Sequence, residues 1–224
     1  MKKEITNDMK QATPDSDEIF KTYNGNESFI NNGVDTGYSM LNYWQWTLSC
    51  IYESTTRGGF AEYIVKIALN AGGIDRNPLG RTGMEPYDLD GPNLKSTGKP
   101  ARIEVKSTSL YHVNRAGRIV PTKTQQFDIA KKMDLDENGN YSEFATKQRH
   151  NDVYVFVMFN GDGKGESFFD LSLWDFYVMP TRDIDNDPEY RDRSNIRLKV
   201  VQERCRKLTF DELPSELVRV CNEL

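Results

Sequence analysis

The run Ala101-Arg102-Ile103-Glu104-Val105-Lys106-Ser107 alternates apolar and charged residues with a period of two. That alternation predicts a β-strand, because successive side chains of a strand leave on opposite faces. Ile103 and Val105 then share a buried face, and Glu104 and Lys106 project together from the other. Working outward, Val153 to Phe159 is apolar on both faces, with Val153, Val155 and Val157 against Tyr154, Phe156 and Met158. A strand of that kind belongs in the middle of a sheet covered on both sides. Trp174 to Met179 reads as a further apolar strand.

Helical periodicity brackets these strands. Leu41, Trp44, Leu48 and Ile51 recur at steps of three and four and predict an amphipathic helix. Gly58-Gly59 is expected to break it from a second helix with Phe60, Ile64 and Ile67 on one stripe, which Gly72-Gly73 ends. Near the C-terminus Thr209 and Glu212 have capping-box spacing, followed by Leu213, Leu217 and Val220 of a last helix. Helices, then strands, then helices predict an α/β fold with a central mixed β-sheet flanked by helices. Residues 1–38, polar with scattered apolar positions, read as an N-terminal arm, and residues 39–224 as one domain. Residues 88–100 read as a connection leading to a strand at 101–108, 111–132 as a basic irregular stretch, and 183–193 as a charged connection.

Composition narrows the function classes. The chain has 224 residues, and its 37% hydrophobic content is enough for a real core. The longest apolar runs are far too short to span a bilayer, and Met1-Lys2-Lys3-Glu4 is followed by no apolar segment. We therefore expect neither membrane association nor a secretory leader. Three cysteines (Cys50, Cys205, Cys221) without C-x-x-C spacing argue against a disulfide framework or a zinc site and suit a reducing cytoplasm. A net charge of -5 excludes a protein that coats nucleic acid by overall attraction. It leaves room for an acidic site beside a local basic surface.

The chemistry lies around the first strand. Sixteen residues before Glu104, Pro86-Tyr87-Asp88-Leu89-Asp90-Gly91 supplies further carboxylates beside turn residues. Two acids and a lysine at adjacent strand ends suit phosphodiester hydrolysis. The acids can hold Mg²⁺, and the lysine can orient or deprotonate water and offset phosphate charge. Asp88 followed by Glu104-x-Lys106 resembles the PD-(D/E)XK nuclease superfamily, the restriction-endonuclease-like group. The resemblance covers roughly residues 40 to 182. Arg57 to Val65 looks like the helix before the catalytic strands, and Asp152 to Phe156 and Leu173 to Thr181 look like later core strands of a bacterial branch.

The resemblance implies a three-layer α/β/α fold and a Mg²⁺-dependent endodeoxyribonuclease in restriction or phage defence, with Mn²⁺ as a substitute ion. It further implies Asp88 and Glu104 as metal ligands with the Val105 carbonyl, Lys106 acting on the water, and Glu62 assisting the metal shell. Pro86 stands two residues before Asp88 instead of one, so Asp88 and Asp90 compete for the ligand position, Asp90 being the better turn residue. The rival reading is a non-catalytic DNA-binding or protein-interaction module of the same fold.

Double-stranded DNA would need a local basic surface. Arg115, Arg118 and Lys123, close after the catalytic strand, are the first candidates, and Gln125 could read an adenine edge. Residues 191–207 form a second basic stretch. Cutting both strands would take two copies of the site, so a two-fold homodimer is the economical arrangement. Asp134, Asp136, Asn138 and Gly139 imitate the opening of an EF-hand, but Ala145 stands where the bidentate glutamate belongs. Gly161, Gly163 and Gly165 lack the G-K-[ST] of a phosphate loop.

Overall fold

A computed structural model describes residues 22–77, 86–133, 146–164 and 168–224. The EF-hand-like segment at 134–145 lies outside them. The chain divides into two units, residues 1–44 with 78–82, and residues 45–77 with 83–224.

In the first unit, Ser28–Asn31 (β1) and Val34–Ser39 (β2) form an antiparallel hairpin. Its turn is Asn32-Gly33, with φ of 50° and 80°. Two positive φ angles match the right-handed twist of the flanking strands, and asparagine and glycine reach them at little cost. This part of the expected polar arm is thus a hairpin, and Asn-Gly was the signal for it. The predicted tryptophan helix runs Met40–Leu48 (α1) and buries none of its residues. Ile51 lies beyond its end and is buried.

The second unit opens on Ser54–Ala71 (α2). The Glu53 side chain caps it by accepting the Thr56 N–H at 2.8 Å. Gly58 and Gly59 lie inside this helix instead of ahead of it. A glycine costs about 1 kcal/mol within a helix. The buried stripe of Ala61, Ile64, Val65, Ala68 and Leu69 outweighs that cost by packing on the sheet. Gly72 caps the helix end, as its position predicts.

The sheet has four strands in the order Trp174–Pro180 (β11), Val153–Phe159 (β10), Pro100–Ser109 (β4) and Leu89–Asn93 (β3). β10 runs parallel to β4 and antiparallel to β11, and β3 runs antiparallel to β4, so the sheet is mixed. All seven residues of β10 are buried, which is why it carries no charged side chain. Arg102 and Asp152 pin the parallel register with two side-chain bonds of 3.0 and 2.8 Å, and Asp152 also accepts the Arg102 N–H.

The expected connection at 88–100 holds strand β3 instead, which places Pro92 on an edge where no ladder bond is lost. A Cβ at Gly91 would come within 2.7 Å of Ile103 Cδ1, so the strands can approach only over glycine.

One face of the sheet packs on α2 and on Leu213–Cys221 (α5), through Ile103, Val105, Val155, Val157, Leu217 and Val220. Glu212 accepts the Thr209 N–H at 2.9 Å just ahead of α5. The other face, with Tyr154, Phe156, Tyr177 and Met179, is covered by a mixed layer. That layer holds the short helices Thr181–Asp185 (α3) and Leu198–Arg204 (α4), and the pair Gln126–Asp128 (β7) with Asn195–Arg197 (β12). Arg149, 8% exposed, ties the layer together. Its guanidinium donates to the carbonyls of Ile129, Tyr190, Arg191 and Arg193 and pairs with Asp185. The stretch 111–132, expected to be irregular, holds the hairpin Tyr111–Val113 (β5) with Ile119–Pro121 (β6), then β7 and Lys132–Met133 (β8), which pairs with Lys147–Gln148 (β9). The result is a mixed α/β fold. Among the described residues no helix is long and apolar enough to cross a membrane.

Candidate active site

Register decides which acids meet. Leu89 stands opposite Ile103 and Asp90 opposite Arg102, so one further step places Asp88 opposite Glu104. Leu89 packs in the core on the α2 side, which turns Asp88 to the Glu104 face. The Asp88 N–H still donates to the Ile103 carbonyl at 2.9 Å, and there β3 ends. From that point the Asp88 side chain continues the ladder in place of backbone. Its Oδ2 accepts the Val105 N–H at 2.7 Å. Asp90 instead has its backbone held on both sides by the Asn77 amide, at 2.7 and 3.0 Å. Of the two aspartates, Asp88 is thus the one beside Glu104.

Val105 presents its N–H to the side that β3 vacates, while Arg102, of opposite parity, gives its carbonyl to Asp152 at the start of β10. A strand residue points its N–H and carbonyl the same way, so the Val105 carbonyl also faces the vacated edge.

Glu104 is almost wholly buried, its side chain 3% exposed. Two ammonium groups converge on its Oε1, Lys106 Nζ at 2.5 Å and Lys132 Nζ at 2.7 Å. Its Oε2 is buried and has no hydrogen-bond partner among the described residues. A buried carboxylate oxygen left bare costs about 1–3 kcal/mol or more, so it marks a position where a further ligand belongs.

The charges tune one another. Burial, reinforced by the Glu104 charge, holds the Asp88 carboxyl above the usual aspartate range, against the Val105 N–H and the two lysines. Burial pulls the Lys106 ammonium down, but Glu104, by charge and hydrogen bond, with Asp88 and Asp128, raises it above the ordinary lysine value. Lys106 is therefore a cation at neutral pH. In register with Glu104 on the next strand, Tyr154 is raised by burial, with Arg149 opposing and Glu104 adding to the shift.

The structure thus gathers Asp88, Glu104 and Lys106 at one sheet edge. Glu62 is buried on α2, which packs on the opposite face. Among the described residues no three His, Cys, Asp or Glu side chains are grouped to hold one ion, so Glu62 does not join Asp88 and Glu104 as a third acid. The ligands present are two carboxylates and one carbonyl, all oxygen donors. The bare Glu104 Oε2 beside Asp88 fits a hard cation such as Mg²⁺, which keeps several waters beside one or two carboxylates.

Arg115 and Arg118 flank the tip of the β5–β6 hairpin, both exposed, in a turn closed by Asn114 Oδ1 on the N–H groups of Ala116 and Arg118. Lys123 is exposed as well. The Gln125 side-chain amide donates to the Thr122 carbonyl at 3.0 Å, and the Gln125 backbone carbonyl receives the Leu198 N–H, so the residue serves loop structure. In the second basic stretch Arg204 pairs with Asp187, Arg206 with Glu212 and Lys207 with Asp175.

Lys132 is the site residue that sequence reasoning missed. It lies 28 positions from Glu104 inside a run of basic residues, and only the chain's return to the sheet brings it there. No protein-family model matches the chain, and comparison with curated proteins finds no match.

Proposed function

We propose that the protein is a Mg²⁺-dependent endonuclease with a restriction-endonuclease-like core, acting on double-stranded DNA in restriction or phage defence. The observation that carries the reading is the sheet edge where Asp88, a buried Glu104 with one bare oxygen, and Lys106 meet. An ion held by Asp88, Glu104 and the Val105 carbonyl would supply an activated water and neutralise charge on the phosphate. Asp88 would be held for that task by the Val105 N–H on its Oδ2. Lys106, charged and anchored on Glu104, would orient the water and stabilise charge on the phosphoryl oxygens. In the ion-free site burial pulls its ammonium down, but Glu104 beside it raises it above the ordinary lysine value, so it meets the substrate as a cation.

The test is incubation with plasmid and phage DNA, modified and unmodified, in Mg²⁺, Mn²⁺ and chelator. Metal-dependent cleavage that Asp88→Asn abolishes supports the reading. Metal-independent binding without cleavage under every condition points instead to a non-catalytic DNA-binding module of the same fold.

A further inference from the structure

Four charged groups meet at the site. Asp88 and Glu104 are matched by Lys106 and Lys132, with the Asp128 charge also felt by Lys106, so the ion-free cluster is close to balanced. Both lysines sit on the same oxygen, Glu104 Oε1, although the other oxygen is bare. They are held differently. Lys106 rises from the same strand as Glu104 two residues on, and its side chain is 24% exposed. Lys132 comes from the two-residue strand β8, and its side chain is 49% exposed. One cation is built into the sheet, and the other reaches in from solvent.

A divalent cation entering a nearly balanced cluster leaves an excess of positive charge, and the half-exposed ammonium of Lys132 can leave at a smaller cost than that of Lys106. Resting on the nuclease reading, we propose that Lys132 is an exchangeable counter-ion: it occupies Glu104 in the ion-free protein, gives way to the divalent cation, and transfers to a phosphate of the nucleic acid. Lys132 thereby adds to Lys106 in compensating the buried Glu104 and the nearby Asp88 before the ion arrives. On transfer, a cation already at the site becomes a backbone contact beside the cut. Such a group both competes with the metal and contributes to substrate binding, two effects that a structural ion pair would not combine.

The experiment uses the full chain and two readouts that need no turnover. Mg²⁺ binding is followed by titration calorimetry without DNA, and binding of a DNA duplex in Ca²⁺ is followed across salt concentration. Lys132→Met should bind Mg²⁺ about tenfold more tightly than the parent, because a competing cation has gone. It should bind the duplex more weakly, with the log–log salt slope reduced by about one. Lys131→Met, which removes the same charge one residue away from a surface pair with Asp192, should change neither.

A parent that binds Mg²⁺ while Lys132→Met shows unchanged Mg²⁺ affinity and salt slope overturns the exchange and leaves the nuclease reading intact. A Lys132→Met protein that loses Mg²⁺ affinity overturns it as well, since Lys132 would then support the metal-binding geometry. A parent that binds no divalent cation at all overturns both. Circular dichroism of the variant separates misfolding from these outcomes, and Lys132→Gln gives a second, polar replacement with the same expected results.

Discussion

Asp88 Oδ2 accepts the backbone N–H of Val105 at 2.7 Å, so a side chain completes the ladder where strand β3 stops. Among the described residues, backbone pairing by β3 gives way at this point to a carboxylate, with the second carboxylate, Glu104, one residue back along β4. The substitution of carboxylate for backbone is what turns the end of a strand into a place for chemistry.

The division of labour between Asp88 and Lys106 can be read in two variants. Lys106→Ala should lose cleavage by about a hundredfold or more while Mg²⁺ still binds, because the ammonium acts on water and phosphate. Asp88→Asn should lose Mg²⁺ affinity and cleavage together. Calorimetry and a plasmid-nicking assay on the same preparations check both. Full activity in Asp88→Asn would remove Asp88 from the mechanism.

In chelator, Asp88→Asn should be more stable than the parent at neutral pH. The folded Asp88 carboxyl is raised, chiefly by burial and then by Glu104. Its favourable contribution is therefore complete below about 3.8, the ordinary aspartate value, and is lost as pH rises through the folded value. Asparagine can still accept the Val105 N–H without carrying the charge. Melting temperatures of the two proteins should converge near pH 3 and separate as pH rises to 7. Equal separation at every pH would mean that the charge of Asp88 is not the cause.

Arg149→Met should destabilise the fold by about 3 kcal/mol or more. It strips donors from four carbonyls in the layer over Tyr154 and Phe156, and methionine replaces none of them. Urea unfolding measures the loss. A variant as stable as the parent would show that water satisfies these carbonyls equally well.

Replacing Arg115 and Arg118 together by Gln should weaken duplex binding and lower the log–log salt slope by about one per phosphate contact removed. Stability should hardly change, since both lie at the exposed tip of the β5–β6 hairpin, in a turn closed by Asn114 and the φ of 71° at Gly117. Binding that matches the parent at every salt concentration would leave the hairpin as ordinary solvated surface.

Much of the sheet was legible because its signals are local. Seven apolar residues in succession announce β10, and the alternation around Glu104 announces β4 and the face its charges take. The pairing of Asp88 with Glu104 was also within reach, once a strand was granted on each side of the turn. Gly58-Gly59 misled, because a helix stripe that packs on a sheet overrides the propensity of two glycines. Pro92 hid an edge strand, since proline reads as a breaker until one knows that no neighbour needs its N–H. Lys132 could not be found at all. Its partner is set by a long return of the chain, and nothing in the basic run around it distinguishes it from Lys131, which pairs with Asp192 instead.

The parallel pairing of β4 with β10 carries a consequence for the order of folding. Asp88 meets Val105 across a separation of 17 residues, whereas the Arg102–Asp152 clasp that seats β10 spans 50. Short closures cost less entropy and come first. The hairpin that holds both carboxylates should therefore form while its faces are still wet, and the cover that desolvates Glu104 should arrive only with β10. Pulsed hydrogen exchange would show protection at Val105 ahead of Val155 if that order holds, and the reverse order would refute it. An acidic pair assembled in water and buried afterwards never has to cross a dry interior as separate charges. A divalent ion present during refolding would then bind the half-built hairpin and speed the step that closes over it.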